Sequence, residues 1–152
     1  MNEKNAKIIL RWRYIKELDF YNPNLSEIEE TVQEFLNPEN AYYSILNNHN
    51  ELVAYCCFGA DARVKGGNYD VEALDIGFGM HPNLSRRGIT FRIINAVFNF
   101  AQNHFSTNLF RVTVVEFNQQ ALRICQKAGF WEVQKFQREQ DDIYFLVLML
   151  KI

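Results

Sequence analysis

The stretch from Ala73 to Phe105 constrains this chain more than any other. From Ala73 to Met80, Leu74, Ile76, Phe78 and Met80 alternate with Asp75, Gly77 and Gly79, which is the two-residue period of a strand. His81-Pro82 ends it. After a turn over Asn83 to Arg87, the segment from Gly88 to about Phe105 places Ile89, Ile93, Val97, Phe100 and Ala101 on one face, the mark of an amphipathic helix. A strand that feeds a long helix through a short turn needs a sheet to pair with and a sheet face to cover. That favours a mixed α/β architecture over a helical bundle or a sandwich.

The rest of the chain extends the pattern. Leu109 to Val115 is rich in β-branched residues and reads as a strand. Asn118 caps a helix that turns Ala121, Leu122, Cys125 and Ala128 inward, and Gly129 ends it as the C′ residue. Trp131 to Phe136 and Ile143 to Leu150 form a hairpin across the polar turn Arg138 to Asp142. Upstream, Ile8, Ile9, Leu10 and Trp12 read as a short first strand. Ser26 reads as an N-cap, with Glu29 completing a capping box, for a helix carrying Ile28, Val32, Phe35 and Leu36 until Asn37-Pro38. Tyr42 to Leu46 and Leu52 to Phe58 are strands joined by Asn47 to Asn50, and Asp61 to Asp70 is an exposed loop. The expected class is α/β (α+β), in one domain over residues 1–152, since no linker divides the 152 residues.

Composition removes several functions. Hydrophobic residues make up 48% of the chain, enough for a full core. Sixteen Lys plus Arg against 18 Asp plus Glu leave a net charge of −2, which argues against nonspecific nucleic-acid or anionic-membrane binding. The N-terminus has no apolar signal core, and no apolar run is long enough to span a bilayer. Three cysteines without a paired framework fit a reducing compartment, so a cytoplasmic location is expected. His49, His81 and His104 are scattered with no Cys or Asp at ligand spacing, so no metal is expected. Ser85 has no His-Asp partner pattern, and the serine hydrolases fall with it.

The chemistry concentrates at the start of the long helix. A helix N-terminus presents unpaired amides and partial positive charge, which suits phosphate. Here Arg86 and Arg87 add charge, and Gly88 lets an anion approach the backbone closely. An ordinary strand-to-helix turn with two solvated arginines is the competing reading. Neither GxxxxGK[ST] nor GxGxxG is present, which excludes phosphate-loop kinases and dehydrogenases.

Three blocks together resemble the GNAT superfamily of acetyl-CoA-dependent N-acetyltransferases: Leu74 to Pro82 (LDIGFGMHP), Ser85 to Thr90 (SRRGIT) and Phe117 to Phe130 (FNQQALRICQKAGF). Their order, strand, glycine turn, long helix, strand and Asn-capped helix closing on Ala-Gly-Phe, is the second half of that family. The resemblance implies a mostly antiparallel central sheet flanked by helices and splayed at the acetyl-CoA site. It implies that Phe78, Gly79 and Met80 pair with the pantetheine arm, and that the pyrophosphate lies on the amides of Arg86, Arg87, Gly88, Ile89 and Thr90. Asn118 matches the family's Asn near the cofactor.

Three positions depart from the family's pattern. Ser85 stands where Gln or Arg usually opens the turn. Thr90 stands where the turn has a second Gly or Ala, crowding the phosphate or donating its hydroxyl to it. Cys125 stands where many members carry the Tyr that protonates the CoA thiolate. The thiol is shorter than that phenol, and a small buried core cysteine is the competing reading.

The implied reaction is direct attack by a neutral amine on the thioester, with acetyl-CoA as cosubstrate and no metal. The acceptor is a small-molecule or peptide amine, including a lysine. Asp75, with Glu72 beside the same strand, and Glu116 are the candidate bases. A CoA-binding or interaction module that does not turn over is the alternative. Dimerisation through the aromatic-rich terminal strands could accompany either.

Overall fold

In the computed structural model, which describes residues 1–84 and 87–152 and only the backbone at Arg87, the first element is a helix and not the expected strand. Helix α1 runs over Glu3–Leu10. Asn2 caps it by accepting the Asn5 amide at 2.8 Å, and Glu3 pairs with Lys7 one turn on. Ala6, Ile9 and Leu10 then fall on one buried face. Ile8-Ile9 suggests β structure when read alone, but a short apolar run does not distinguish helix from strand; the cap and the buried stripe decide for helix.

The capping box at Ser26 is also corrected. Asn24 accepts both the amide and the hydroxyl of Ser26, so that hydroxyl is a donor to Asn24 and not the helix cap. A single 3-10 turn over Leu25–Glu27 follows, and helix α2 begins only at Ile28 and ends at Leu36. Val32 and Phe35 are its buried residues, packed on α1.

The sheet contains β1 (Tyr42–Leu46), β2 (Leu52–Phe58), β3 (Leu74–Met80), β4 (Leu109–Val115), β5 (Trp131–Gln137) and β6 (Tyr144–Lys151), in the order β1-β2-β3-β4-β6-β5. Every neighbouring pair is antiparallel except β3–β4. Helices α3 (Arg87–His104) and α4 (Gln119–Lys127) cover one face, burying Ile94, Val97 and Cys125 against Ile76, Val112 and Leu148. Helices α1 and α2 cover β1 and β2 on the other face, through Trp12 and Phe35 against Tyr42 and Tyr55. A third cluster, Val115, Phe136, Phe145 and Val147, lies on that face over β4 to β6. The mostly antiparallel sheet flanked by helices is the architecture expected from the sequence.

The parallel pair β3–β4 is short. It aligns Leu74 with Phe110, Asp75 with Arg111 and Ile76 with Val112, and goes no further. β3 nevertheless stays paired with β2 up to Met80. The two central strands therefore part after Ile76.

Candidate active site

The parting of β3 from β4 makes the site. The Asp75 carbonyl accepts from the Gly59 amide, and the His81 amide donates to the Val53 carbonyl, so these residues turn their backbone groups toward β2. By antiparallel alternation, Phe78 and Met80 turn theirs away from β2, into the gap that β4 has left. The Tyr14 hydroxyl donates to the Met80 carbonyl at 2.7 Å from across that gap. A peptide edge exposed in this way offers hydrogen bonds to any extended amide chain laid along it.

The gap opens into a cavity of about 340 Å³ that reaches both sheet faces. On the helical side its walls include Thr90, Asn118 and Gln120. Helix α3 opens there at Arg87, and the amides of a helix's first three residues have no carbonyl of a preceding turn within the helix. Gly88 is exposed, and a Cβ placed on it would meet nothing within 4 Å among the described residues. Thr90 is buried, and its hydroxyl oxygen accepts from the Gln120 side-chain amide at 3.3 Å. Asn118 caps α4 by accepting the Ala121 amide at 3.2 Å. Ser85 and Arg86, and the side chain of Arg87, lie outside the described residues.

The opposite mouth is walled by Tyr14, Tyr21, Tyr42, Tyr55 and Asp61. Asn22 fixes Tyr14 by accepting its amide at 2.7 Å and donating to its carbonyl at 2.9 Å. Tyr55 lies over Gly79, where a Cβ would come within 2.4 Å of the phenol ring. Burial pushes the Tyr14 and Tyr21 phenols up to about 12. Burial, then the nearby Cys57 and Asp61, holds Tyr42 above its ordinary value, and burial does the same for Tyr55. All four stay protonated at neutral pH. His81 also lines the cleft, with its Nδ1 accepting from the Asn83 amide at 3.2 Å. Among the described residues, Asp61 is the one carboxylate in the cavity wall.

The candidate bases read from the sequence lie elsewhere. Asp75 is buried, as an inward-facing strand residue can be, but both its oxygens are taken: Arg111 Nε bonds one at 2.6 Å, and Arg111 and Arg63 bond the other at 2.8 Å. It is a structural ion pair outside the cavity wall. Glu116 forms an ion pair with Lys135 across the sheet and is likewise absent from the wall. Glu72 is exposed on the approach to β3. Cys125 is fully buried among Ile94, Val97 and Phe130, which corrects its candidacy as an acid and supports the core reading.

Asp61 was missed because it sits in a stretch read only as an exposed loop, with no flanking spacing to mark it. The loop is in fact anchored: the Tyr69 hydroxyl accepts the Val64 amide, and Arg63 and Arg111 lie over the Tyr69 ring.

Burial pushes the Cys56, Cys57 and Cys125 thiols up to about 12. At pH 8 such a thiol is ionised in about one molecule in ten thousand. Ellman's reagent is therefore expected to find almost no reactive thiol in the folded protein and three on denaturation. Rapid modification of one thiol in the native state would contradict this burial and mark that cysteine as a candidate nucleophile.

A family model described as "Acetyltransferase (GNAT) family" matches residues 9–130. No curated protein matches by sequence. Among solved structures, a spermidine N-acetyltransferase SpeG chimera from Vibrio cholerae and hSSAT superposes with a TM-score of 0.74 at 13% identity, covering 99% of this chain and 92% of that one. A putative GnaT-family acetyltransferase from Bordetella pertussis gives 0.73 at 14% identity, covering 97% and 89%. An uncharacterised protein from Bacillus halodurans gives 0.78 at 14% identity, covering 99% and 81%. At these identities the likeness is one of fold.

Proposed function

The chain belongs to the GNAT acetyltransferase family, and from that premise we propose that it moves an acetyl group from acetyl-CoA to a primary amine, both held at once in the cleft between β3 and β4. The observation that carries this reading is the splay itself. β3 leaves β4 after Ile76, and the backbone groups of Phe78 and Met80 face the opening. These groups suit a pantetheine arm, which carries amides of its own. The first-turn amides of α3 at Gly88 and Ile89 suit the pyrophosphate, in open space that a side chain at Gly88 would fill, with Thr90 in the wall beside them. Asn118 and Gln120 complete that wall.

Acetyl-CoA supplies an activated thioester; the protein's part is positioning and proton transfer. A backbone amide in the splay polarises the carbonyl. Asp61, at the opposite mouth, receives the acceptor as an ammonium ion and takes its proton, leaving a neutral nucleophile. That same proton, passed on through water, can meet the departing thiolate, which frees Asp61 to take the second nitrogen proton as the amide forms and release it to solvent, so no dedicated acid is needed at Cys125. Three free, buried thiols accord with a reducing cytoplasm.

Calorimetric titration with acetyl-CoA, CoA and dephospho-CoA tests the reading. Micromolar binding of acetyl-CoA is expected; no heat with any of the three would overturn it. Asp61→Asn is expected to lower kcat about 100-fold with acetyl-CoA affinity unchanged, measured as CoA released in the presence of an acceptor amine. An unchanged kcat would remove Asp61 as base.

Were the reaction to require an acid carried by the protein at that helix position, the burial of Cys125 would leave a second reading, a CoA-binding module without turnover. Tight CoA binding with no consumption of acetyl-CoA across a panel of amines would establish it instead.

A further inference from the structure

The acceptor mouth does not end at Asp61. Tyr14, Tyr21, Tyr42 and Tyr55 line both the cleft and a second cavity of about 200 Å³ behind it. The inner wall of that cavity is Ile9, Leu10, Trp12, Pro23 and Phe35. Besides the tyrosines and the indole N–H of Trp12, the polar side chain in its lining is Thr31, whose hydroxyl already donates to the Glu27 carbonyl at 3.0 Å. Among the described residues, nothing charged lines it. The four phenols thus stand between the two as a collar, with one carboxylate on the cleft side and an apolar, half-open pocket on the other, Tyr21 being the exposed member.

Resting on the transferase reading, we propose that the acceptor is a primary monoamine with an apolar aryl or alkyl tail, its ammonium at Asp61 and its tail passed through the tyrosine collar into the inner chamber. One carboxylate balances one ammonium. A second ammonium on the same molecule would meet either the Arg63 guanidinium in the cleft wall or the uncharged chamber, where nothing repays its desolvation. A peptide acceptor would have to press its backbone polar groups against the apolar inner wall of Ile9, Leu10, Pro23 and Phe35. An apolar tail meets neither cost. The chamber exceeds the roughly 150 Å³ that suffices to admit benzene in a protein core. The collar remains neutral, and its ring faces can hold the ammonium by cation–π attraction.

Trp12 in the inner wall makes the test direct. The chain has two tryptophans, and the other, Trp131, is exposed on β5. Trp131→Phe therefore leaves Trp12 as the reporter. Phenethylamine and hexylamine are expected to change its emission saturably, with or without acetyl-CoA. In turnover, kcat/KM is expected to rise about fourfold per methylene from ethylamine to hexylamine, with spermidine and a lysine peptide at least tenfold below hexylamine, a margin of under two methylenes. A flat alkyl series, or spermidine or the peptide leading, overturns the proposal while the transferase reading stands on acetyl-CoA binding. A saturable Trp12 response in a protein that binds no acetyl-CoA does the reverse, keeping the monoamine chamber and removing the transferase.

Discussion

Gly88→Phe is expected to abolish acetyl-CoA binding while leaving the fold intact. The two effects separate because of where the residue sits. Gly88 is exposed in the first turn of α3, its φ is ordinary, and a Cβ there touches nothing among the described residues. Exchanging a glycine for a residue with a side chain in a helix does not weaken the helix and can add a few tenths of a kcal/mol. The same open space is what an anion needs in order to reach the amides of that turn. A benzyl group would occlude it and deny the pyrophosphate two charge-assisted hydrogen bonds, each worth about 1.5–3 kcal/mol. Their loss corresponds to roughly a 1,000-fold weaker Kd. Calorimetry and thermal melting on one preparation decide the matter. Unchanged affinity would place the pyrophosphate elsewhere, and Gly88→Ala should fall between the two.

The part of the fold legible in the sequence was the part whose residues act locally. The alternation of β3, the apolar stripe of α3, the Asn118 cap and Gly129 at positive φ each depend on near neighbours, and each stands as read. Ile9 and Leu10 were misread because the feature that makes them helical, a buried face shared with Val32 and Phe35, is formed by residues more than twenty positions away, while Ile8 beside them is exposed. The site divides in the same way. Phe78, Gly79, Met80, Gly88, Thr90 and Asn118 follow from blocks contiguous in sequence, and the cleft gathers them except where Gly88 stands exposed just outside its wall. Asp61 and the tyrosine collar come from four separate segments and carry no spacing to find them by. Only the folded loop between β2 and β3, tied down by Tyr69, brings Asp61 to the mouth.

Asp75 shows the limit most sharply, because its parity was read correctly and its role was not. It lies on the face of β3 opposite Ile76, and the residue beside it on β4 is Arg111, in register. Both side chains are almost wholly buried, at 2% and 1% exposure. Arg111 also donates to the Val71 carbonyl and lies over the Tyr69 ring, so the pair ties β3, β4 and the loop before β3 together one residue short of the splay. Asp75→Leu would leave the Arg111 guanidinium buried without its counter-ion, and arginine cannot escape by losing its proton. Removing one member of such a pair costs about 3–5 kcal/mol. For a chain of this length that lowers Tm by roughly 10 °C or more. Arg63→Ala, which removes a partner that is 41% exposed, should cost under about 1 kcal/mol. The double variant Asp75→Leu, Arg111→Met replaces the ion pair with apolar volume and should recover at least half of the loss. If the double variant is as unstable as Asp75→Leu alone, the pair is not what holds the strands. If stability returns but acetyl-CoA binds more weakly, the ion pair is retained for the shape of the cleft, fixing the point at which β3 and β4 part.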